Sequence, residues 1–184
     1  MVRRRNLLYI AAGLAIIAGV ALFIATMQWR STVPGVKRAD GRIAADFTLE
    51  DLSGRTITLA SLRGKVIFLN FWATWCAPCL DEMPSMQALY DQMRGNADFV
   101  MLAVSQDQRG RQAVKPFIDK NGFRFQILLD PEGQLAESYG LRGVPETFII
   151  DRSGRIVAHH AGAFDWSRPD VSEALKQMLE VKSG

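Results

Sequence analysis

Two cysteines and two histidines are all the thiol and imidazole that this 184-residue chain contains. Two thiols are too few for a disulfide framework or a four-thiolate metal site. Acidic residues are missing altogether from the first 38 positions, which hold Arg3, Arg4, Arg5, Arg30, Lys37 and Arg38. With six of the 22 basic residues confined there, the remainder carries an acidic excess despite the formal net charge of +3. A basic face for polyanions is therefore not expected, and no nucleic-acid partner with it. Internal repeats and low-complexity tracts are also absent. A composition 48% apolar and 22% charged argues against disordered and collagen-like classes. The length suits one domain of roughly 100–200 residues.

One long uncharged run is present. Residues 7–27 (LLYIAAGLAIIAGVALFIATM) carry no charge, and as a helix they would reach about 31 Å, close to the roughly 30 Å of a bilayer's hydrocarbon core. The apolar part of a cleavable leader is shorter, about 7–15 residues, and ends at a small-x-small site. Here the run exits through Gln28-Trp29-Arg30, which reads as an interfacial anchor. The expected organisation is a cytoplasmic tail at 1–6, a signal-anchor helix at 7–27, a linker at 28–42 and a folded domain at 43–184. Three arginines ahead of the span place the N-terminus in the cytoplasm, although Lys37, Arg38 and Arg42 narrow the margin.

Beyond the linker, Ser53-Gly54 separates two short alternating runs, as in a hairpin. VIFLNF (66–71) and FVMLAV (99–104) read as strands covered on both faces. A helical pattern runs from 76 to 93, with Leu80, Met83, Leu89, Tyr90 and Met93 on its apolar face. Further helices are expected at 111–120 and 134–139, and strands at 126–129, 147–150 and 155–158. A last helix opens at Ser167-Arg168-Pro169-Asp170, with Ser167 as its cap. This alternation defines an α/β fold with a mixed sheet.

The chemistry converges on Phe71-Trp72-Ala73-Thr74-Trp75-Cys76-Ala77-Pro78-Cys79, where a buried strand ends and a helix begins. Unpaired N–H groups and the positive end of the helix dipole stabilise a thiolate at the first cysteine. Cys76 is expected to be partly exposed at the helix start and Cys79 to be shielded one turn inside. The thiols could instead be half of a zinc site, with His159 and His160 as the other half. Adjacent strand residues point to opposite faces, however, and chelate poorly together. An inert disulfide and a pair of buried thiols remain as structural alternatives to a redox pair.

The motif FWATWCAPC resembles the active-site strand and helix start of the thioredoxin superfamily. Together with FTLEDLSGRTITLASLRGK and YGLRGVPETFIIDRSGRI it resembles, over residues 43–181, the membrane-anchored TlpA/ResA/DsbE (CcmG) branch of extracytoplasmic thiol–disulfide oxidoreductases. The resemblance implies a thioredoxin-like fold, a mixed central sheet flanked by helices with an N-terminal hairpin extension. It implies a redox-active disulfide between Cys76, the attacking thiol, and Cys79, the resolving thiol. Pro145 matches the family's cis-proline, and the Val144 backbone would pair with an extended client segment. Trp75, Val144 and Glu146 are the expected client contacts. Pro84 falls where such proteins kink the helix.

Glu82, one turn beyond Cys79, matches an acid of this branch and is expected to oppose thiolate formation and relay a proton to or from Cys79. A solvated helix carboxylate is its bland alternative. Asn70 stands where thioredoxins place a buried aspartate. An amide cannot titrate, so the proton carrier must move, and Glu82 is the candidate.

The resemblance further implies a disulfide reductase without cofactor or metal, on the periplasmic side of a bacterial inner membrane. Electrons would come from a transmembrane thiol transporter of the CcdA/DsbD type, with client disulfides, apocytochrome c among them, as substrates. Three competitors are considered. A peroxidase of the peroxiredoxin type follows a Pro-x-x-x-Thr-x-x-Cys pattern, which neither cysteine fits: Cys79 is preceded by Cys76 and Trp72, and Cys76 by Ala73 and Leu69. A DsbA-like oxidase and a binding module without turnover are the others.

Overall fold

Residues 33–180 are described by the computed structural model. In chain order they form β1 (Lys37–Arg38), β2 (Thr48–Asp51), β3 (Thr56–Thr58), β4 (Val66–Trp72), α1 (Ala77–Met93), β5 (Phe99–Ser105), α2 (Arg111–Asn121), β6 (Gln126–Leu129), α3 (Gln134–Tyr139), β7 (Glu146–Ile150), β8 (Ile156–Ala161) and α4 (Pro169–Glu180). The strands make one mixed sheet in the order β1-β8-β7-β4-β5-β6-β2-β3. β4, β5 and β6 are parallel, and every other pairing is antiparallel. This is the thioredoxin-like α/β architecture, with the β2–β3 hairpin added at one edge. The span expected at 7–27 lies outside the described residues, among which no helix is long and apolar enough to cross a membrane.

β4 is buried at all seven positions because it is central and covered on both faces. Its side chains alternate. Ile67, Leu69 and Phe71 enter an apolar cluster with Leu102, Val104, Phe148 and, from α3, Leu135 and Tyr139. Phe68, Asn70 and Trp72 face the other way. There Phe68 meets Trp166 edge-on at 4.8 Å, and Trp72 packs on Phe117 of α2. Both parallel crossovers step in one direction across the sheet, so α1 and α2 cover the same face. α4 packs against α1 there. The consequence for function is that α1 begins directly above the carboxyl end of the central strand.

Three local details differ from expectation. The buried stripe of α1 is Cys79, Glu82, Met83, Met86, Leu89 and Met93, while Leu80 and Tyr90 sit at its margins. Lys37–Arg38, within the segment expected as linker, form an edge strand against β8. Ser167 does not cap α4: its hydroxyl and its amide both donate to the Asp165 carboxylate, which lowers the Asp165 pKa.

In the β2–β3 turn, Asp51 accepts hydrogen bonds from the Ser53 amide and hydroxyl and from the Arg55 amide and guanidinium. Burial would push its pKa up, but these donors outweigh that and hold it well below the ordinary carboxylate range. Asp51→Ala therefore lowers the unfolding free energy by about 1–3 kcal/mol at neutral pH, read by urea denaturation. A depressed pKa gives stability that is present above the unfolded carboxylate value near 4 and lost as the pH falls below it. The difference between wild type and variant narrows in that acid range.

Candidate active site

At the end of β4 the chain turns through residues 73–76 and enters α1 with Cys76 as its N-cap. The Cys76 Sγ accepts the Cys79 amide at 3.3 Å, the position an N-cap hydroxyl oxygen would fill. Cys76 and Cys79 are joined in a disulfide of 2.04 Å. Pro78, at the second helical position, removes an N–H that has no helical partner there. The turn is fixed from behind by Asp107, which accepts both the amide and the hydroxyl of Thr74 and the hydroxyl of Ser105. Asp107 is itself buried.

The opposite wall is the segment before β7. The Val144–Pro145 peptide is cis, and the Val144 carbonyl oxygen lies 3.5 Å from the Cys76 Sγ. With that carbonyl over it, Cys76 is only 5% exposed, less than expected for the attacking sulfur, and Cys79 is fully covered. Trp75 is 69% exposed beside them and presents an indole to any incoming chain. Glu146 follows Pro145 and is buried. It accepts the Arg142 amide at 2.9 Å and meets Nε2 of His159 at 2.8 Å. His159 in turn lies flat on Phe148. His160 points to the other face, its Nδ1 2.7 Å from the Gly35 carbonyl, so the two histidines do not converge.

Glu82 is not a solvated helix carboxylate. Only 3% exposed, it projects from α1 onto the sheet, where Asn70 Nδ2 donates to Oε1 at 2.8 Å. Its Oε2 accepts the Phe164 amide at 3.2 Å and the Trp166 indole N–H at 3.0 Å. Asn70 also donates to Thr147 Oγ1, its neighbour across the β4–β7 register, while Asn70 Oδ1 has no partner. Burial pushes the Glu82 pKa up to about 7, against the opposing pull of the Trp166, Asn70 and Phe164 donors. A carboxyl with that proton affinity, one turn from Cys79 in the same buried stripe, can accept or return a proton near neutral pH.

Seven of the residues singled out in the sequence border one site. Cys76, Cys79, Trp75 and Glu82 come from the β4–α1 junction, and Val144, Pro145 and Glu146 from the approach to β7. Pro84 lies within the continuous helix with its ring exposed. Sequence reading missed Asp107, Trp166, Thr147 and the pairing of His159 with Glu146. No local spacing ties these residues to the cysteines, because each reaches the site through a sheet register or a loop distant in sequence.

A dithiol at a helix start, a cis-proline across from it and a buried carboxyl behind it define a thioredoxin-like thiol–disulfide oxidoreductase. The chain belongs to the AhpC/TSA family, whose model matches residues 41–159. It is 39% identical over 122 residues to the thiol-disulfide oxidoreductase ResA of Halalkalibacterium halodurans, covering 66% of this chain and 68% of that one. The protein of the same name from Bacillus anthracis is 33% identical over 160 residues, 87% of this chain and 90% of the relative. Among solved structures, a Chlorobium tepidum protein described as a thiol:disulfide interchange protein DsbE superposes with a TM-score of 0.65 at 32% identity. That match covers 77% of this chain and 96% of the other.

The burial of Glu82 has a measurable cost. A carboxyl whose folded pKa is raised contributes stability that is full below its unfolded value near 4.5 and lost as the pH rises through about 7. Glu82→Gln, which keeps the shape without the charge, is expected to be more stable than wild type by about 2–4 kcal/mol at pH 8. In denaturation curves taken at successive pH values, the gap closes between about pH 7 and pH 4.5.

Proposed function

We propose that this thiol–disulfide oxidoreductase works as a reductase, opening disulfides in client proteins outside the cytoplasm. The observation that carries the reading is the buried Glu82 carboxyl behind the Cys76–Cys79 pair. A dithiol reduces strongly when its thiolate is weakly stabilised, because a stabilised thiolate makes the oxidised form the better electron acceptor. The helix start and the Cys79 amide favour a Cys76 thiolate. Two buried acids, Glu82 on one face of the sheet and Glu146 on the other, oppose it. Their roles differ. Glu146 has the His159 ring hydrogen-bonded to it, whereas the donors to Glu82 are an amide side chain, a backbone N–H and an indole, and Glu82 is the acid placed to exchange a proton with Cys79.

In the cycle, the Cys76 thiolate attacks a client disulfide, forming a mixed disulfide and releasing one client thiolate. The Cys79 thiol gives its proton to Glu82, and the resulting thiolate attacks the Cys76 sulfur. The Cys76–Cys79 disulfide forms, the second client thiolate leaves, and the proton on Glu82 returns to it. Two electrons pass from the dithiol to the client. The unpartnered Asn70 Oδ1 supplies an acceptor for the protonated carboxyl if the amide turns over. Trp75 and the Val144 backbone flank the sulfurs and suit an extended client segment.

The apolar run at 7–27 supports a signal-anchor in a bacterial inner membrane, with the catalytic domain on the periplasmic side. A reductase held there needs electrons from across the membrane, which a thiol transporter of the CcdA/DsbD type would supply. The likeness to DsbE-type proteins favours apocytochrome c, whose CxxCH thiols must be free for haem attachment, as the client.

Titrating the Cys76–Cys79 couple against glutathione or dithiothreitol buffers tests the direction. A reduction potential at or below about −200 mV is expected, and one near about −120 mV would mark an oxidase. A Cys79→Ser variant accumulates the mixed disulfide and identifies the client. Recovery of unrelated proteins alone, with normal c-type cytochromes in a deletion strain, rejects apocytochrome c. Thiol-dependent consumption of hydroperoxide would instead favour the peroxidase reading.

A further inference from the structure

Between β8 and α4 the chain crosses α1 as a short strap, residues 162–168. The strap is tied to the helix twice. Phe164 N–H and Trp166 Nε1–H both donate to Oε2 of Glu82. Ser85 Oγ donates to the Glu82 and Phe164 carbonyls and accepts the Trp166 amide. The Trp166 ring is 1% exposed, wedged edge-on against Phe68 and tilted against Phe164 at 4.8 Å. An indole this well packed on apolar rings could serve as core alone, yet its side-chain N–H is aimed at the Glu82 carboxyl, one turn along α1 from Cys79.

We infer that Trp166 is a positioning residue of the redox reaction: its indole N–H, with the Phe164 amide on the same oxygen, holds Glu82 in its proton-accepting form behind Cys79. This rests on the reading of Glu82 as the proton carrier and adds what controls it. The physical argument is one of sign. Both strap donors can bond to an ionised oxygen and neither can accept a proton from a protonated one, so they favour the carboxylate. Burial works the other way. Without the strap the carboxyl would stay protonated through the neutral range and could not take the Cys79 proton.

The other groups around Glu82 give little competing control. On α1 itself Cys79 is the exchange partner and Asp81 is exposed. β4 and β7 contribute the neutral Asn70 and Thr147. On β8, His160 lies 4.8 Å from Phe164 and 5.9 Å from Trp166, with its Nδ1 at the Gly35 carbonyl. On the strap, Asp165 is bound by Ser167, and Arg168 stacks over Phe164 while pairing with Asp170. Glu146 and His159 belong to the opposite face of the sheet.

The test is the pH dependence of the resolving step in the full chain. The reduced protein is mixed with 5,5′-dithiobis(2-nitrobenzoate), and the second release of nitrothiobenzoate reports attack by Cys79. Trp166→Phe keeps the aromatic packing and deletes the donor. Its midpoint is expected to move up by about one pH unit, a tenfold gain in proton affinity, with the alkaline plateau kept. An unmoved midpoint in a folded variant overturns the inference and leaves Trp166 as packing alone. Glu82→Gln separates the two ideas. Losing the limb in Glu82→Gln without a shift in Trp166→Phe refutes only the role of Trp166. A wild-type profile in Glu82→Gln refutes the proton-carrier reading itself.

A second measurement avoids any folding defect. In the wild-type chain the Trp166 indole N–H resonance is expected to titrate with Glu82, and a resonance that stays constant through the neutral range contradicts the inference.

Discussion

The central constraint is a carboxyl group removed from water beside a disulfide. Glu82 is held between α1 and the sheet by one amide from β4 and two donors from a loop more than 80 residues away in the chain. Burial alone would keep such a group neutral, and three donors alone would keep it ionised. Together they bring its proton affinity to about 7, close to the pH at which a thiol pair must gain and lose protons. The rest of the site is arranged around that balance.

The sheet supplies the geometry. Because β4 is central and β5 and β6 follow it in parallel, the N-terminus of α1 sits at the carboxyl end of the strand, where open α/β folds place their reactive groups. Antiparallel β7 returns alongside β4 and brings the Val144–Pro145 segment to the same end. The register does more than position the backbone. It aligns Asn70, Thr147 and His160 across three strands on the Glu82 face, and Glu146, Phe148 and His159 on the other. The two acids near the sulfurs are thereby kept in separate environments, one with neutral donors and one with a histidine.

Much of this was legible in the sequence. The apolar runs at 66–71 and 99–104 announced buried central strands, and the position of Cys76 between a strand and a helix announced its chemistry. Glu82 could be placed beside Cys79 by helical spacing alone. What spacing could not reveal was whether that face was wet or dry, because the answer depends on residues 162–168 folding back over α1. Trp166 lies just ahead of the last helix, and no local pattern ties it to Glu82. The bonds of Asp107 to Thr74 depend on β4 and β5 lying side by side in parallel, which no local spacing reveals. Lys37 and Arg38 lacked apolar alternation because an edge strand needs a partner's backbone more than a buried face.

The most direct test of the central claim is a carbon-13 NMR titration of the Glu82 side-chain carboxyl in the oxidised, full-length protein. Burial against neutral donors predicts a midpoint near 7, well above that of the exposed glutamates. A midpoint near the ordinary value of about 4.5 would show that the group is in effect solvated. The balance between burial and hydrogen bonding on which the site depends would then not exist.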